Sequence, residues 1–201
     1  NEYEERKIFI GNASHELQTP LAICQNRLEM LLEDETLGEQ QMSEIMKTYQ
    51  TLEYLSKLNK SLLLLSKIDN HQFSEEKEVC LNEVLHRYMD DYQEVYAYRD
   101  ITLTVEEEGE LYWNMNETLA VVLITNLLKN AFVHNINKGS IRIVISSSGI
   151  RFGNTASGSA LDTSRVFDRF YQGSKKKEGS TGLGLAIVDA VCRHSSLKIR
   201  Y

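Results

Sequence analysis

The N-terminal third of the chain carries two long stripes of apolar side chains at helical spacing. Apolar residues recur every three or four positions over residues 2–34, and the same period returns over residues 42–68 after a break at residues 36–39. Two long helices that are joined by a short turn predict an antiparallel hairpin. Each helix carries a wider apolar stripe than one partner covers, so we expect the hairpin to form a homodimer, a four-helix bundle.

Beyond residue 75 the pattern changes to short strands mixed with helices, and Asn116 is placed to cap one of these helices. Strands grouped with helices on one face predict an α+β sandwich. The fold class is therefore multi-domain, α then α+β, with a helical domain at residues 1–72 and a sandwich at residues 77–201. The predicted elements are a strand and a helix within 79–97, a strand at 101–105, a helix at 117–134, a hairpin of 141–146 and 150–152, a helix from 183 to about 194, and a strand at 197–201.

Composition favours long helices and excludes several classes of protein. The 201 residues contain one proline, Pro20, where average usage would give about ten. A formal net charge of −7 offers no basic field to nucleic acid phosphates, which disfavours a nucleic acid partner. Cys24, Cys80 and Cys192 are widely spaced and odd in number, so they predict reduced cytosolic thiols rather than a disulfide framework or a zinc site. No apolar run is long enough to span a bilayer.

The first candidate for chemistry lies at residues 14–21. His15 is on a helix turn flanked by core positions, and its neutral imidazole at pH 7 is a competent nucleophile. Thr19 lies four residues on, hence on the same helix face. A Glu16 carboxylate that accepted the Nδ1 proton would leave Nε2 as the attacking atom. The competing interpretation is a surface histidine near a helix kink, because Pro20 removes one helical hydrogen bond.

The second candidate is a set of polar side chains on the predicted helix 117–134. Asn126, Asn130 and His134 stand four residues apart and stack on one helix face. Asparagine is unfavourable inside a helix, so two in register need an explanation. An amide oxygen suits a Mg²⁺ ion that keeps most of its waters and is shared with phosphates. An ordinary polar helix face is the competing interpretation.

The third candidate is a glycine-rich turn at residues 179–185, directly before the last predicted helix. Glycines let the backbone approach a ligand, and unpaired amides at a helix start favour an anion. The turn lacks the lysine of a P-loop and opens no dinucleotide-binding unit, so an anion site and an ordinary turn both stay open. Its candidate binding residues are Gly179, Thr181, Gly182, Leu183 and Gly184.

Four motifs follow one another on the helices and loops predicted for them. They are His15-Glu16-x-x-Thr19-Pro20, Asn126-x-x-x-Asn130-Ala131, Phe167-x-x-Phe170-Tyr171 and Gly179-x-x-Gly182-x-Gly184-Leu185. In this order they resemble the catalytic core of a sensor histidine kinase of a two-component system. The resemblance covers nearly the whole chain and implies a dimerisation and phosphoacceptor domain followed by a GHKL-type ATP-binding domain.

The resemblance also implies an activity and its residues. His15 would be autophosphorylated from Mg-ATP and would pass the phosphoryl group to an aspartate in the receiver domain of a response regulator. Glu16 would orient and polarise His15, and Thr19 would help to position a water for a reverse phosphatase activity. Asn130 would coordinate Mg²⁺ at the ATP phosphates. The remaining residues implied to bind ATP are Asn126, His134, Asn154 and Gly158, together with the glycine-rich turn, while Phe167 and Phe170 would border the ATP lid.

The sequence departs from the family pattern at the nucleotide. The family has Asp-x-Gly-x-Gly where this chain has Asn154 and Ala156, so the adenine amine would meet an uncharged acceptor and a less flexible backbone. Val133 stands where a basic residue that contacts phosphate is common. Lys129 or the lysines of residues 175–177 are the candidates to supply that charge. We also expect this fragment to lack the last strand of the usual sandwich.

Two other classes of protein stay open. The weakened Asn154 motif suggests a pseudokinase impaired in nucleotide binding or a phosphatase-biased dimerisation module. A chaperone-like or topoisomerase-like ATPase shares the nucleotide fold but would lack the His15 hairpin. Because the chain begins with Asn1 rather than Met, we expect a fragment: the cytoplasmic portion of a bacterial inner-membrane protein, tied to the membrane only through segments absent from it.

Overall fold

The chain begins with two long helices. The computed structural model describes residues 2–157, 161–172 and 180–201; for residues 2–12 and for His15 it describes the backbone alone. Helix α1 spans Glu2–Leu32 and helix α2 spans Glu39–Asp69. In the turn between them, the Asp34 carboxylate accepts hydrogen bonds from the backbone N–H and the hydroxyl of Thr36.

Hydrogen bonds between α1 and α2 show that the two helices run antiparallel. Partner numbers fall along α1 as they rise along α2, which is the order that an antiparallel hairpin requires. Among the described side chains, each of these bonds has its donor in α2: Tyr49 pairs with Glu29, Ser56 with Gln25, and Asn59 with the backbone carbonyl of Ser14. The predicted hairpin is thereby confirmed.

Short strands and further helices follow the hairpin in alternation. A turn of 3₁₀ helix at Ala97–Arg99 separates the third helix from the second strand. The elements are β1 Lys77–Cys80, α3 Leu81–Val95, β2 Thr102–Glu107, β3 Tyr112–Met115, α4 Glu117–Val133, β4 Ser140–Ser146, β5 Gly149–Asn154 and α5 Gly184–His194.

The strands form two small sheets. In the larger sheet β4 lies in the middle, parallel to β2 and antiparallel to β5. In the smaller one β1 and β3 pair antiparallel, with Val79 opposite Trp113. Successive strand residues point to opposite faces, and Ile141, Ile143 and Ile145 of β4 all point into the core. The helices cover that face, so the predicted α+β sandwich is confirmed.

The end of the hairpin shares the core of the second domain. Leu65 and Ile68 of α2 are buried in the same apolar cluster as the residues of α4 and α5. Beyond that cluster, Asp69 forms an ion pair with Arg169 at 2.9 Å. Packing and charge together therefore hold the C-terminal end of α2 against the second domain.

The cysteines are free thiols, as their spacing predicted. Cys24 is exposed, Cys80 is partly exposed and Cys192 is buried in α5. Burial raises the pKa of the Cys192 thiol to about 11, with a smaller contribution from the charge of Asp189. The Cys192 thiol therefore stays protonated at neutral pH, and a protonated thiol is a poor nucleophile.

The C-terminal segment corrects one prediction. Residues 197–201 were expected to be a strand because apolar and polar residues alternate there, but they form none. The Leu197 N–H donates instead to the carbonyl of Cys192 at 2.8 Å, and Leu197 and Ile199 pack on the core. No strand in the described part of the chain lies beside them to form a ladder. Strand β3, in contrast, was not predicted.

Candidate functional site

The turn of α1 that carries His15 is held from α2. The backbone of His15 is helical, whereas its side chain lies outside the described residues. Ser14 is buried, and its carbonyl accepts a hydrogen bond from Asn59 Nδ2 at 2.6 Å. Glu16 and Thr19 are exposed to solvent, so both are accessible to an approaching domain.

Pro20 lies inside α1, one turn after Glu16. Because proline has no backbone N–H, the Glu16 carbonyl lacks the donor that a regular helix would supply. The helix nevertheless continues to Leu32. The segment that follows His15 therefore has a weakened hydrogen-bond ladder.

Helix α4 begins at the cap that the sequence predicted and carries both candidate asparagines. The Asn116 side chain accepts hydrogen bonds from the backbone N–H groups of Thr118 and Leu119. Asn126 and Asn130 lie four residues apart and are partly buried. His134 comes directly after the last helical residue, as an exposed cap rather than a third helical position.

The start of α5 meets α4 at Asn126. The Asn126 amide nitrogen donates to the carbonyl of Val122 at 2.8 Å, which leaves Oδ1 on the other side of the amide. A Cβ added to Gly184 would lie 3.5 Å from that Oδ1. Leu183, the residue before α5, is fully buried. The first amides of α5 are thus anchored beside the polar face of α4, where the helix dipole favours an anion.

Gly182 lies against the backbone of Phe170, close to the contact between Gln172 and Ser180. Its φ of +68° is left-handed, and an added Cβ would lie 2.9 Å from the carbonyl carbon of Phe170. The Phe170 N–H donates to the Gly182 carbonyl at 3.0 Å, and Gln172 Nε2 donates to the Ser180 carbonyl at 2.8 Å. Thr181 lies between these contacts and is partly buried. Gly158 and Gly179 fall outside the described residues.

We expect Gly182→Ala to weaken nucleotide binding, because the left-handed φ costs an alanine about 1–2 kcal/mol and the Phe170 backbone would have to move. Titration with a fluorescent ATP analogue should show an affinity reduced about tenfold or more. Gly149→Ala is the matched control, since an added Cβ meets nothing within 4 Å there, and it should bind as the parent does. Equal affinities for the two variants would contradict this role for Gly182.

Asn154 is placed by the residue that follows it. Asn154 is exposed at the end of β5, and its amide nitrogen donates to the Thr155 carbonyl at 3.0 Å, so Oδ1 remains available to a donor. The Thr155 hydroxyl accepts from the Ser140 N–H and donates to Oδ1 of the buried Asn135. Thr155 and Asn135 were not singled out from the sequence, because their link joins two loops whose approach no local pattern shows.

Arg99 fastens the C-terminal end of α4. Its guanidinium donates to the backbone carbonyls of Phe132 and Asn135 and to Oδ1 of Asn137. A cation is stabilising at this end of a helix because the last carbonyls lack helical partners. Backbone acceptors leave no signature in sequence, so Arg99 could not be predicted.

These elements define a class of protein: a helical hairpin that carries a histidine, joined to an α/β domain in which an asparagine-bearing helix meets a glycine-rich helix start. Residues 5–71 match the family described as the His Kinase A (phospho-acceptor) domain. Residues 115–201 match the histidine kinase-, DNA gyrase B-, and HSP90-like ATPase family. The chain belongs to the sensor histidine kinases of two-component systems.

Relatives and solved structures agree with these two matches. The chain is 30% identical to the sensor histidine kinase RppB of Synechocystis over 94% of its own length and 44% of RppB. It is also 30% identical to the heme sensor protein HssS of Staphylococcus saprophyticus, over 92% of the chain and 41% of HssS. It thus spans less than half of either relative.

Two solved structures share the fold at lower identity. Full-length ShkA in complex with AMPPNP gives a TM-score of 0.68 at 19% identity, covering 92% of this chain and 40% of ShkA. The histidine kinase AdeS of Acinetobacter baumannii gives 0.56 at 20% identity, covering 90% of this chain and 86% of that one.

Within the described residues, no helix is both long and apolar enough to cross a membrane.

Proposed function

We propose that this chain is the kinase core of a sensor histidine kinase and transfers the γ-phosphoryl group of Mg-ATP to His15. The carrying observation is the presence of both matched domains in one chain, with the end of α2 packed into the core of the ATPase domain. The phospho-acceptor match argues against the chaperone-like or topoisomerase-like alternative. Phosphorylated His15 would then pass the phosphoryl group to an aspartate of a response regulator.

The nucleotide would bind between α4 and the start of α5. The Asn126 amide and the first N–H groups of α5 lie side by side there, which suits a phosphate chain. Asn130, on the same face of α4, would hold Mg²⁺ through its amide oxygen. Its side chain makes no hydrogen bond to another described residue, and a neutral amide oxygen suits an ion that keeps most of its waters. When bound, Mg²⁺ neutralises charge on the phosphates.

Other residues would complete the ATP site. Asn154 would accept from the adenine amine through Oδ1, which its bond to Thr155 leaves available. Val133 stands where a basic residue would supply positive charge to the phosphates. The positive end of the α5 dipole would supply part of that charge instead. His134, exposed beyond α4, would reach the nucleotide only from the rim of the site.

At the phosphoacceptor, the proposed step is a displacement at phosphorus. Nε2 of neutral His15 attacks, so that a P–N bond forms while the bond from phosphorus to the ADP oxygen breaks. The ring then carries a positive charge, which is removed when the Nδ1 proton passes to the Glu16 carboxylate. Positioning of the reactants and neutralisation of charge account for most of the rate enhancement in such phosphoryl transfers.

The hairpin would supply the dimer. Several large apolar side chains of α1 and α2 are exposed in the single chain, among them Leu17, Met30 at 73% exposure, and Leu55. Covering these side chains with a second hairpin would complete a four-helix bundle. RppB, a sensor histidine kinase, and HssS, a heme sensor protein, both come from bacteria. We place the core on the cytoplasmic side of the inner membrane, where ATP and response regulators are found.

Incubation of the purified chain with γ-labelled Mg-ATP tests the proposed kinase activity. We expect label that is lost in acid and retained in base, as a phosphoramidate requires, and that maps to His15 by mass spectrometry. A purified receiver domain that then acquires the label on aspartate would support the second transfer. A dimeric chain that binds ATP and acquires no label would overturn the proposal.

Replacing Pro20 by alanine should change the balance of kinase and phosphatase rates by several-fold. The substitution returns an N–H donor to the Glu16 carbonyl and removes a helix breaker that costs about 3 kcal/mol in a helix interior, which stiffens α1 after His15. Initial rates of labelling and of regulator dephosphorylation measure the ratio. Cys24→Ala, an exposed change on the same helix, is the control, and an unchanged ratio in the proline variant would rule out a hinge at Pro20.

A further inference from the structure

Asn59 is a buried polar side chain of α2 that faces the turn of α1 at Ser14. It lies in α2 between Leu58 and Leu62, which pack against the core cluster, and is only 6% exposed. Burying an amide is costly unless it is hydrogen-bonded. Its Nδ2 donates to the Ser14 carbonyl at 2.6 Å, so that bond offsets the cost of burial.

The accepting carbonyl belongs to the peptide bond that joins Ser14 to His15. In a helix this carbonyl also accepts from the N–H four residues on, and its two lone pairs allow both bonds at once. Asn59 therefore holds the backbone of the phosphoacceptor turn without breaking the helix. Pro20 removes one of the hydrogen bonds of α1 directly after this turn. The position of the turn therefore depends more strongly on its contact with α2.

We infer that Asn59 is a positioning residue for phosphorylation of His15: its bond to the Ser14 carbonyl sets the axial register of α1 against α2 at this turn. The inference rests on the proposed role of His15. The polar bridges that Tyr49 and Ser56 form between described residues of the hairpin are exposed or only partly buried, so water replaces them readily.

The hydrogen bond between Asn59 and the Ser14 carbonyl forms in only one register of α1 against α2. A shift of α1 by one residue moves the Ser14 carbonyl by about 1.5 Å along the helix axis. That shift breaks the hydrogen bond and leaves a buried amide without a partner. A single buried asparagine sets register in coiled coils in the same way, at a cost in stability.

A register role separates activity from stability. Phosphoryl transfer depends on placing the nucleophile closely, and a displacement of about 1 Å can cost roughly 100-fold in rate. An apolar residue in place of a buried polar one is often neutral or stabilising. A residue that served stability alone would lose activity only as the protein lost its fold.

The test compares Asn59→Leu and Asn59→Gln with the parent chain. We expect Asn59→Leu to be dimeric with an unchanged or higher Tm, an unchanged KM for ATP and a labelling rate of His15 lowered about tenfold. Asn59→Gln keeps an amide donor and should recover part of the rate. Ser56→Ala, which removes a different bond between the helices, should label at the parental rate.

Hydrogen–deuterium exchange supplies a measurement that needs no kinase activity. Backbone amides over residues 13–21 should exchange faster in Asn59→Leu than in the parent chain, whereas Ser56→Ala should leave them unchanged. Parental exchange in Asn59→Leu, or a parental labelling rate, would overturn the inference. If the parent chain itself acquires no phosphohistidine, the proposed function fails, and exchange alone decides the register role.

Discussion

Label from γ-labelled Mg-ATP should fall to background when His15 is replaced by alanine. The alanine has no nitrogen that could form the P–N bond. Neighbouring side chains do not replace it, because Glu16 and Thr19 carry oxygen only and the amide nitrogens of Asn12 and Gln18 are not nucleophilic. ATP binding should be unaffected, since the substitution lies on the hairpin and the nucleotide would bind between α4 and α5. Acid-labile label and ATP affinity, measured on the same preparation, check both halves of this prediction.

The matched control for this variant is His86→Ala. His86 is an exposed histidine of α3 that pairs with Glu107, so its replacement also removes one imidazole but leaves the hairpin untouched. It should label as the parent does. Acid-labile phosphate that survives in His15→Ala would show that the phosphoacceptor is another residue, and the loss of label in both variants would point to a general effect on the fold.

Features that depend on residues close in sequence could be predicted, and features that depend on distant residues could not. The helices of the hairpin follow from a period of 3.6 residues. The cap at Asn116 follows from one side chain that accepts from the N–H groups two and three residues further on. Strand β3 is different, because Tyr112–Met115 shows no clear alternation and is a strand only through its pairing with distant β1. The segment 197–201 fails in the opposite sense, since it alternates but pairs with no described strand.

The candidate site follows the same division. The spacing of Asn126 and Asn130 predicted a shared helix face, but nothing local places Gly184 against Asn126. Thr155 and Asn135 meet through a contact between loops. Asn59 did leave a signal, a single amide inside a stripe of leucines, which is the pattern expected of a buried polar residue that sets register.

Asn130→Ala should label His15 about 100-fold more slowly than the parent chain, because removing one preorganised ligand from a charged transition state commonly costs that much. The loss should be specific to the metal-bound nucleotide: Mg-dependent ATP affinity should fall, whereas stability should change little at this partly buried helix position. Labelling rates over a Mg²⁺ titration, with Tm as the stability measurement, check this prediction.

The choice of control makes the Asn130 result interpretable. Asn114→Ala removes an exposed amide of the same kind from β3, on the smaller sheet, and should label at the parental rate. Raised Mg²⁺ should partly rescue Asn130→Ala if the amide oxygen binds the ion, because a weakened site fills at a higher concentration. A rate that fell without any response to Mg²⁺ would assign Asn130 to the nucleotide instead, and an unchanged rate would remove it from the site. The two asparagines of α4 would then be a polar helix face, and the charge on the phosphates would have to be met by the start of α5 and by lysine side chains.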